Sequence, residues 1–354
     1  MKASQMQGAL LEYIVRNIMM NCGFSPVKAD GLFTYENNGL FFINGRGAAH
    51  DADVLMDPPV QMPFTYPTRV LFECKAYNKK TSLPIIRNAL GLRYDINEFE
   101  IVTKDTLLSR KNNRRAQYAI EQRNRYNYQV GIACIKGFTA PAVEFATNNK
   151  IPLLSVSWLF AQSSIALFSA INQTYITGIG EDSASEVYCY FKDRSIGAEY
   201  NHIRAKQFLD HDGVLGKIIS MFHGKRPSWF IGLLETGDMV FLKLQTPTYI
   251  SALFDTQINK GFKARLHYSE RLPELWFLSV LSNSTDQIQV EFEFFVPHGI
   301  MRLWAEHENS RQSALEIKQR FFSRIFIFNN EINSDMPFVL INIDREWINK
   351  ILEA

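Results

Sequence analysis

The stretch YQVGIACIKGFTAPAVEFATNNKIPLLSVSWL, residues 128–159, constrains the fold more than any other. QVGIACI reads as a buried strand. Thr139 follows as an N-cap with Pro141 close behind, AVEFATNN as a helix, and IPLLSV as a second strand. Strand, helix, strand in that order is a right-handed crossover, which lays the two strands parallel in one sheet. A chain built around this unit belongs to the α/β class.

The residues before it extend the same domain. GALLEYIVRNIMMNCGF (8–24) spaces Leu10, Leu11, Ile14, Val15, Ile18 and Met19 as an amphipathic helix does, and Gly23 supplies a stop. A Gly-rich turn leads into a short run, Ala52 to Met56, ended by Pro58 and Pro59. TRVLFECKAY (68–77) is apolar almost without interruption up to Glu73, the pattern of a strand covered on both faces. SLPIIRNALGLRYDI reads as a helix. Residues 1–165 therefore form one α/β domain, with a mixed central sheet if the runs at 52–56 and 68–77 are adjacent antiparallel strands.

With 354 residues the chain is long enough for two domains. TGIGEDSASE (177–186) marks the join, so 166–185 is expected to be a linker and 186–354 an α+β domain for regulation, target recognition or oligomerisation. In that second half FIGLLETGDMVFLKL and ELWFLSVLSNSTDQIQVEFEFFV each read as a pair of strands. Val290, Phe292, Phe294 and Val296 alternate with Gln289, Glu291 and Glu293, as on a half-buried strand. A helix near 310–324, the strand FVLINI and a final helix REWINKILEA complete it.

Composition narrows the function classes. Hydrophobic residues make up 46% and charged residues 21%, so a folded chain is expected throughout. Cys22, Cys74, Cys134 and Cys189 form no CxxC pair, which argues against a disulfide framework or zinc site and for reduced thiols in the cytoplasm. Glu12 and Arg16 interrupt the N-terminal apolar run, and no export signal is expected. The uncharged segment 151–171 is long enough to span a membrane, but Gln162, Ser163 and Ser164 favour a buried strand running into an apolar helix, so no membrane partner is expected. The net charge of +2 divides unevenly: residues 1–165 carry 19 Lys/Arg against 13 Asp/Glu, and 166–354 carry 19 against 23. A basic first half suits a polyanion.

Chemistry concentrates in the two short runs. Residues two apart on a strand share a face, so Glu73 and Lys75 point together and Cys74 points away. Charges ending an apolar run are costly unless paired, solvated or bound to an ion. Asp53 stands in the same way at the other run, and adjacent antiparallel strands would let Asp53 and Glu73 converge. Two carboxylates suit Mg²⁺, with Mn²⁺ as a substitute, while Lys75 orients a water or neutralises developing charge: a phosphodiester-cleaving site. The competing reading is a structural Asp beside a surface Glu/Lys pair.

Asp53 followed by Glu73-Cys74-Lys75 resembles the PD-(D/E)XK restriction-endonuclease-like superfamily. Gly8, Leu11-Glu12, Gly23-Phe24, Gly47, His50-Asp51-Ala52-Asp53-Val54, Phe72, Gly131-Ile132, Phe138-Thr139, Ala142 to Ala146 and Ile151-Pro152-Leu153 extend the resemblance to Mrr-like restriction enzymes over about residues 5–160. It departs from that pattern in having Ala52 rather than Pro before Asp53, and in the insert DPPVQMPFTYP between the strands. The resemblance implies a restriction-endonuclease-like core, a metal site at Asp53 and Glu73, catalysis by these with Lys75, a metal-site role for Glu12 from the opening helix, and prokaryotic defence against foreign DNA. The expected activity is Mg²⁺-dependent endonucleolytic cleavage of double-stranded DNA. The alternatives are a nuclease-fold module that binds DNA or a partner without cutting, and an effector nuclease triggered by a ligand or protein partner at the C-terminal domain, with homo-oligomerisation open.

Other residues carry further expectations. Asp51 lies on the face of Asp53 and is either an accessory ligand or a solvated turn residue, and His50 is expected to hydrogen-bond the turn. Arg110, Lys111, Arg114 and Arg115 cluster in a segment, 104–126, with seven Lys/Arg and two acids, and are candidates for DNA phosphate contacts. His202, His211 and His223 are too widely spaced for a metal site.

Overall fold

The structure is a computed structural model and describes residues 1–61, 65–100, 104, 108, 111, 125–159, 162–195, 197–220, 229–245, 261–282, 287–306, 310–328 and 338–353. It is a mixed α/β protein in which a mixed five-stranded sheet is followed by a closed seven-stranded barrel.

The sheet is built from β1 (Ser25–Pro26), β5 (Val54–Asp57), β6 (Thr68–Lys75), β7 (Asn127–Cys134) and β8 (Leu153–Ser155), side by side in that order. β1 and β5, and β5 and β6, are antiparallel; β6, β7 and β8 are parallel. β2 (Thr34–Asn37), β3 (Leu40–Asn44) and β4 (Ala49–Asp51) form a separate three-stranded sheet. The 128–159 crossover is as expected, with α3 (Ala140–Asn148) joining the parallel strands β7 and β8.

Both faces of the larger sheet are covered, which explains the unbroken apolar runs. Val54, Met56, Val70 and Phe72 pack toward α1 (Ala3–Asn21), while Leu55, Leu71, Val130 and Ile132 pack toward α2 (Leu83–Asn97) and α3. Gly131 makes the centre of the sheet possible, because a Cβ there would sit 2.7 Å from the Phe72 ring and 2.9 Å from the Pro152 carbonyl. The proline-rich insert does not prevent strand pairing. The Gln61 side chain accepts from Thr68 N–H at 2.7 Å and donates to Thr68 C=O at 3.0 Å, closing the base of the insert beside β6.

The opening helix α1 forms as expected, and Glu12, Tyr13 and Arg16 are buried along with its apolar residues. The 166–185 stretch is not an open linker: it falls within helices α5 (Gln162–Ala170), α6 (Gln173–Gly178) and α7 (Glu181–Lys192). Ala184, Val187, Tyr190 and Phe191 of α7 belong to the same core as α1, so that core crosses the boundary drawn at 165. Gly and Ser signalled a break, but Gly180 merely starts a helix, at φ 82°. The uncharged 151–171 segment folds as β8, α4 (Val156–Leu159) and α5, and among the described residues no helix is long and apolar enough to cross a membrane.

After the short helices α8 (Ala198–Asn201), α9 (Ile203–His211) and α10 (Leu215–Ser220) comes the barrel, assembled from β9 (Trp229–Leu234), β10 (Met239–Leu244), β11 (Phe262–Tyr268), β12 (Leu275–Leu281), β13 (Ile288–Phe295), β14 (Arg324–Phe328) and β15 (Phe338–Ile343). Its strand order is β10-β13-β12-β11-β15-β14-β9, closed by β9 against β10, and only β11 and β15 are parallel neighbours. Closure removes the free edges an open sheet would present. The expected strand pairs, and the burial of Val290, Phe292, Phe294 and Val296, are found. α11 (His298–Glu306), α12 (Arg311–Phe321) and α13 (Arg345–Glu353) accompany the barrel.

β9 ties the halves together. Phe230 faces the barrel interior while Trp229 and Ile231 join the α1 core, and Phe24 meets Phe328 edge-on at 6.2 Å.

Candidate active site

Asp53 and Glu73 come together for the reason the sequence suggested. β5 pairs with β6 in the register Val54↔Phe72, and continuing it by one residue sets Asp53 opposite Glu73. Asp53 Oδ2 accepts a 2.7 Å hydrogen bond from Cys74 N–H, which fixes the carboxylate at the end of β6. Glu73 and Lys75 share a face as strand alternation requires, with Lys75 Nζ 2.8 Å from Glu73 Oε2. Cys74 packs instead toward the α1 core, and burial pushes its thiol well above the ordinary range.

Glu12 joins them from α1. It is only 7% exposed, and Lys192 Nζ at the end of α7 donates to Glu12 Oε2 at 2.7 Å. Burial raises the Glu12 carboxyl above its usual range, although Lys192 and Arg194 oppose that shift. Asp53 is pushed up to about 7 by burial and by the negative charges of Glu12 and Glu73, against the pull of the Cys74 N–H and Lys75. Burial works against charge on Lys75 and Lys192, but the carboxylates facing them outweigh it and both end above the usual lysine value. Three carboxylates and two ammonium groups thus share one electrostatic environment.

Arg194 fastens the Asp53 segment from behind. Its Nη2 donates to the carbonyls of Ala52 and Asp53, the latter at 3.2 Å, and its guanidinium lies 4.6 Å from the centre of the Phe41 ring. Ala52 is fully buried and held through its carbonyl. Lys192 and Arg194 escaped the sequence reading. They lie more than a hundred residues beyond the Glu-x-Lys strand, in a segment assigned to another domain, and no local spacing marks them.

The remaining candidates divide. Asp51 ends β4, is exposed, and influences Glu12, Lys192 and Arg194 only through its charge. His50 holds the turn by a 2.7 Å hydrogen bond to Asp95 Oδ2, and the same carboxylate takes the Gly47 N–H at 2.7 Å. Lys111 is exposed, whereas Arg110, Arg114 and Arg115 lie outside the described residues. His202 pairs with Asp193 at 3.0 Å, His211 ends α9, and His223 lies outside the described residues.

Among the described residues no three His, Cys, Asp or Glu side chains are arranged as a ready metal cage. Two mutually repelling, partly desolvated carboxylates are nevertheless a donor set that suits Mg²⁺, which keeps several of its waters and needs few protein ligands. A cleft of about 900 Å³ opens elsewhere, lined by Arg16 and Asn17 of α1 and by Asp193, Lys206 and Lys217. Neither Asp53, Glu73 nor Lys75 lines it. No family model matches this chain, and no curated protein is similar to it. A crystal structure described as a protein of unknown function, AF1548, is similar at 13% identity and a TM-score of 0.28, over 61% of this chain and 99% of that one.

Proposed function

We propose that this protein is a metal-dependent endodeoxyribonuclease with a restriction-endonuclease-like, Mrr-like core, hydrolysing phosphodiester bonds of double-stranded DNA in defence against foreign DNA. One observation carries the reading: Asp53 stands in register against a strand ending Glu73-Cys74-Lys75, with its carboxyl pushed up to about 7 by its own burial and by the negative charges of Glu12 and Glu73. An unpaired structural aspartate gains nothing from that repulsion, whereas a cation site does.

Asp53 and Glu73 would hold Mg²⁺, which when bound supplies a Lewis acid and an acidified water. The protein's own groups do the rest. Lys75 keeps its proton at Nζ and presents positive charge beside Glu73, where it stabilises charge on a phosphoryl oxygen. The Cys74 N–H orients Asp53, and Arg194 holds the backbone on which Asp53 is carried. Glu12, tied to Lys192, supplies the negative charge that favours a cation at Asp53.

Plasmid cleavage with Mg²⁺ and an EDTA control tests the proposal. Asp53→Ala and Lys75→Ala each lower the cleavage rate by about 10²–10⁴-fold while the circular dichroism spectrum is unchanged. Wild-type cleavage rates in both variants overturn the assignment. The effector reading draws support from the barrel's attachment to α1, where Cys22 Sγ lies 3.6 Å from the Trp229 carbonyl one helical segment beyond Glu12.

A further inference from the structure

At the barrel, Lys318 of α12 is 5% exposed. Its ammonium lies 5.3 Å from the centre of the Trp347 ring, 5.6 Å from that of Tyr268 and 5.7 Å from that of Trp276. Among the described residues no carboxylate forms an ion pair with it. The rings offset part of its desolvation through cation–π attraction, but they accept none of the three N–H bonds an ammonium offers as a carbonyl or carboxylate would. The charge of Arg311 repels it.

This amine lines a cavity of about 180 Å³, walled also by His267, Tyr268, Glu270, Arg311, Ala314, Leu315 and Trp347. Two cations converging on one small cavity, with Glu270 as the single acid, leave a positive site. Burial and Arg311 lower Lys318 to about 8, so it retains its charge at neutral pH at a cost a bound anion would relieve.

We infer that this cavity is a binding site for a small phosphate monoester carrying a flat ring, with Lys318 and Arg311 on the phosphate and the His267–Trp347 wall against the ring. A phosphate monoester carries about −1.5 to −2 charge near neutrality, matching two cations better than a carboxylate does. Arginine's planar fork suits its paired oxygens. The His267 and Trp347 rings, with centroids 5.2 Å apart, supply an apolar wall. The volume holds a phosphate and one ring, well below the ~300–1,000 Å³ of drug-sized sites. This site is independent of the carboxylates at the ends of β5 and β6.

Calorimetric titration of the full chain at pH 7 in EDTA, with phenyl phosphate, inorganic phosphate and benzoate as probes, tests the inference. Saturable binding of phenyl phosphate is expected, with each of the other probes at least tenfold weaker. Lys318→Met, which keeps the volume and removes the charge, weakens phenyl phosphate at least tenfold, and the exposed Arg311→Gln does so severalfold. Asp53→Asn leaves binding unchanged, separating this cavity from the Asp53 site. Absence of saturable binding, or equal affinity in wild type and Arg311→Gln, overturns the inference whether or not Lys318→Met folds.

Discussion

At the end of the central strand β6, Glu73 and the nearby Glu12 of α1 each face a lysine, at 2.8 and 2.7 Å, whereas beside the barrel Lys318 faces three aromatic rings. The first region gathers charges of both signs from α1, β6 and α7 and lets them stabilise one another. The second buries a cation among groups that cannot neutralise it. In the first, proton affinities rise together: Glu12, Asp53, Lys75 and Lys192 all lie above their usual values. In the second, Lys318 falls. A carboxylate-rich site prepares for a cation and an amine-rich site for an anion, and pH should act on the two in opposite directions.

Breaking the internal pairing has the largest expected effect. Lys192→Ala leaves Glu12 buried without its partner and should destabilise the fold by about 2–4 kcal/mol in urea denaturation, somewhat less than a fully buried pair because Glu12 can take up a proton. Lys192→Met with Glu12→Gln removes both charges and should recover most of that loss; equal instability of the single and double variants would show that packing, not charge, is responsible.

Asp53 provides the pH test. Its carboxyl titrates at about 7 when folded, against about 3.9 when unfolded, so between those values the folded chain binds more protons and stability falls as pH rises. In EDTA, Asp53→Asn should be more stable than wild type by a margin that grows from pH 4 to pH 7 and then levels. A constant margin would place the effect elsewhere.

Lys318 reverses the sign. Its folded value of about 8 lies below the usual ~10.4, so the unfolded chain binds more protons between them and wild type gains stability as pH rises across that window. Lys318→Met should lack the gain, measured by denaturant midpoints at pH 7.5 and 10. The smallest effect is expected at Lys111. Lys111→Glu should reduce the salt dependence of DNA binding by about one unit in the slope of log affinity against log salt if this exposed residue meets a phosphate. An unchanged slope would remove it from the DNA surface.

Much of the first region was legible because its determinants are local. The 128–159 crossover, the shared face of Glu73 and Lys75, and the hairpin partner of Asp53 follow from strand alternation and from pairing between strands that are neighbours in the chain order. Glu12 could be located on a helix but not buried, since its burial depends on α7 covering α1. In the barrel, the pairs β9–β10 and β12–β13 were readable, because antiparallel strands close together in the sequence leave a clear alternation. The parallel pairing of β11 with β15 was not, as it joins segments some seventy residues apart.

By itself the sequence determined which groups stand at strand ends and which faces they share, because a backbone repeat of two residues leaves no other choice. Tertiary structure alone decided which charges meet. Lys192 and Arg194 reach the Asp53 site, and Lys318 is enclosed by Tyr268, Trp276 and Trp347, only once distant elements pack. Electrostatic partnership depends on distance in space and exclusion of water, neither of which is written into the spacing of residues along a chain.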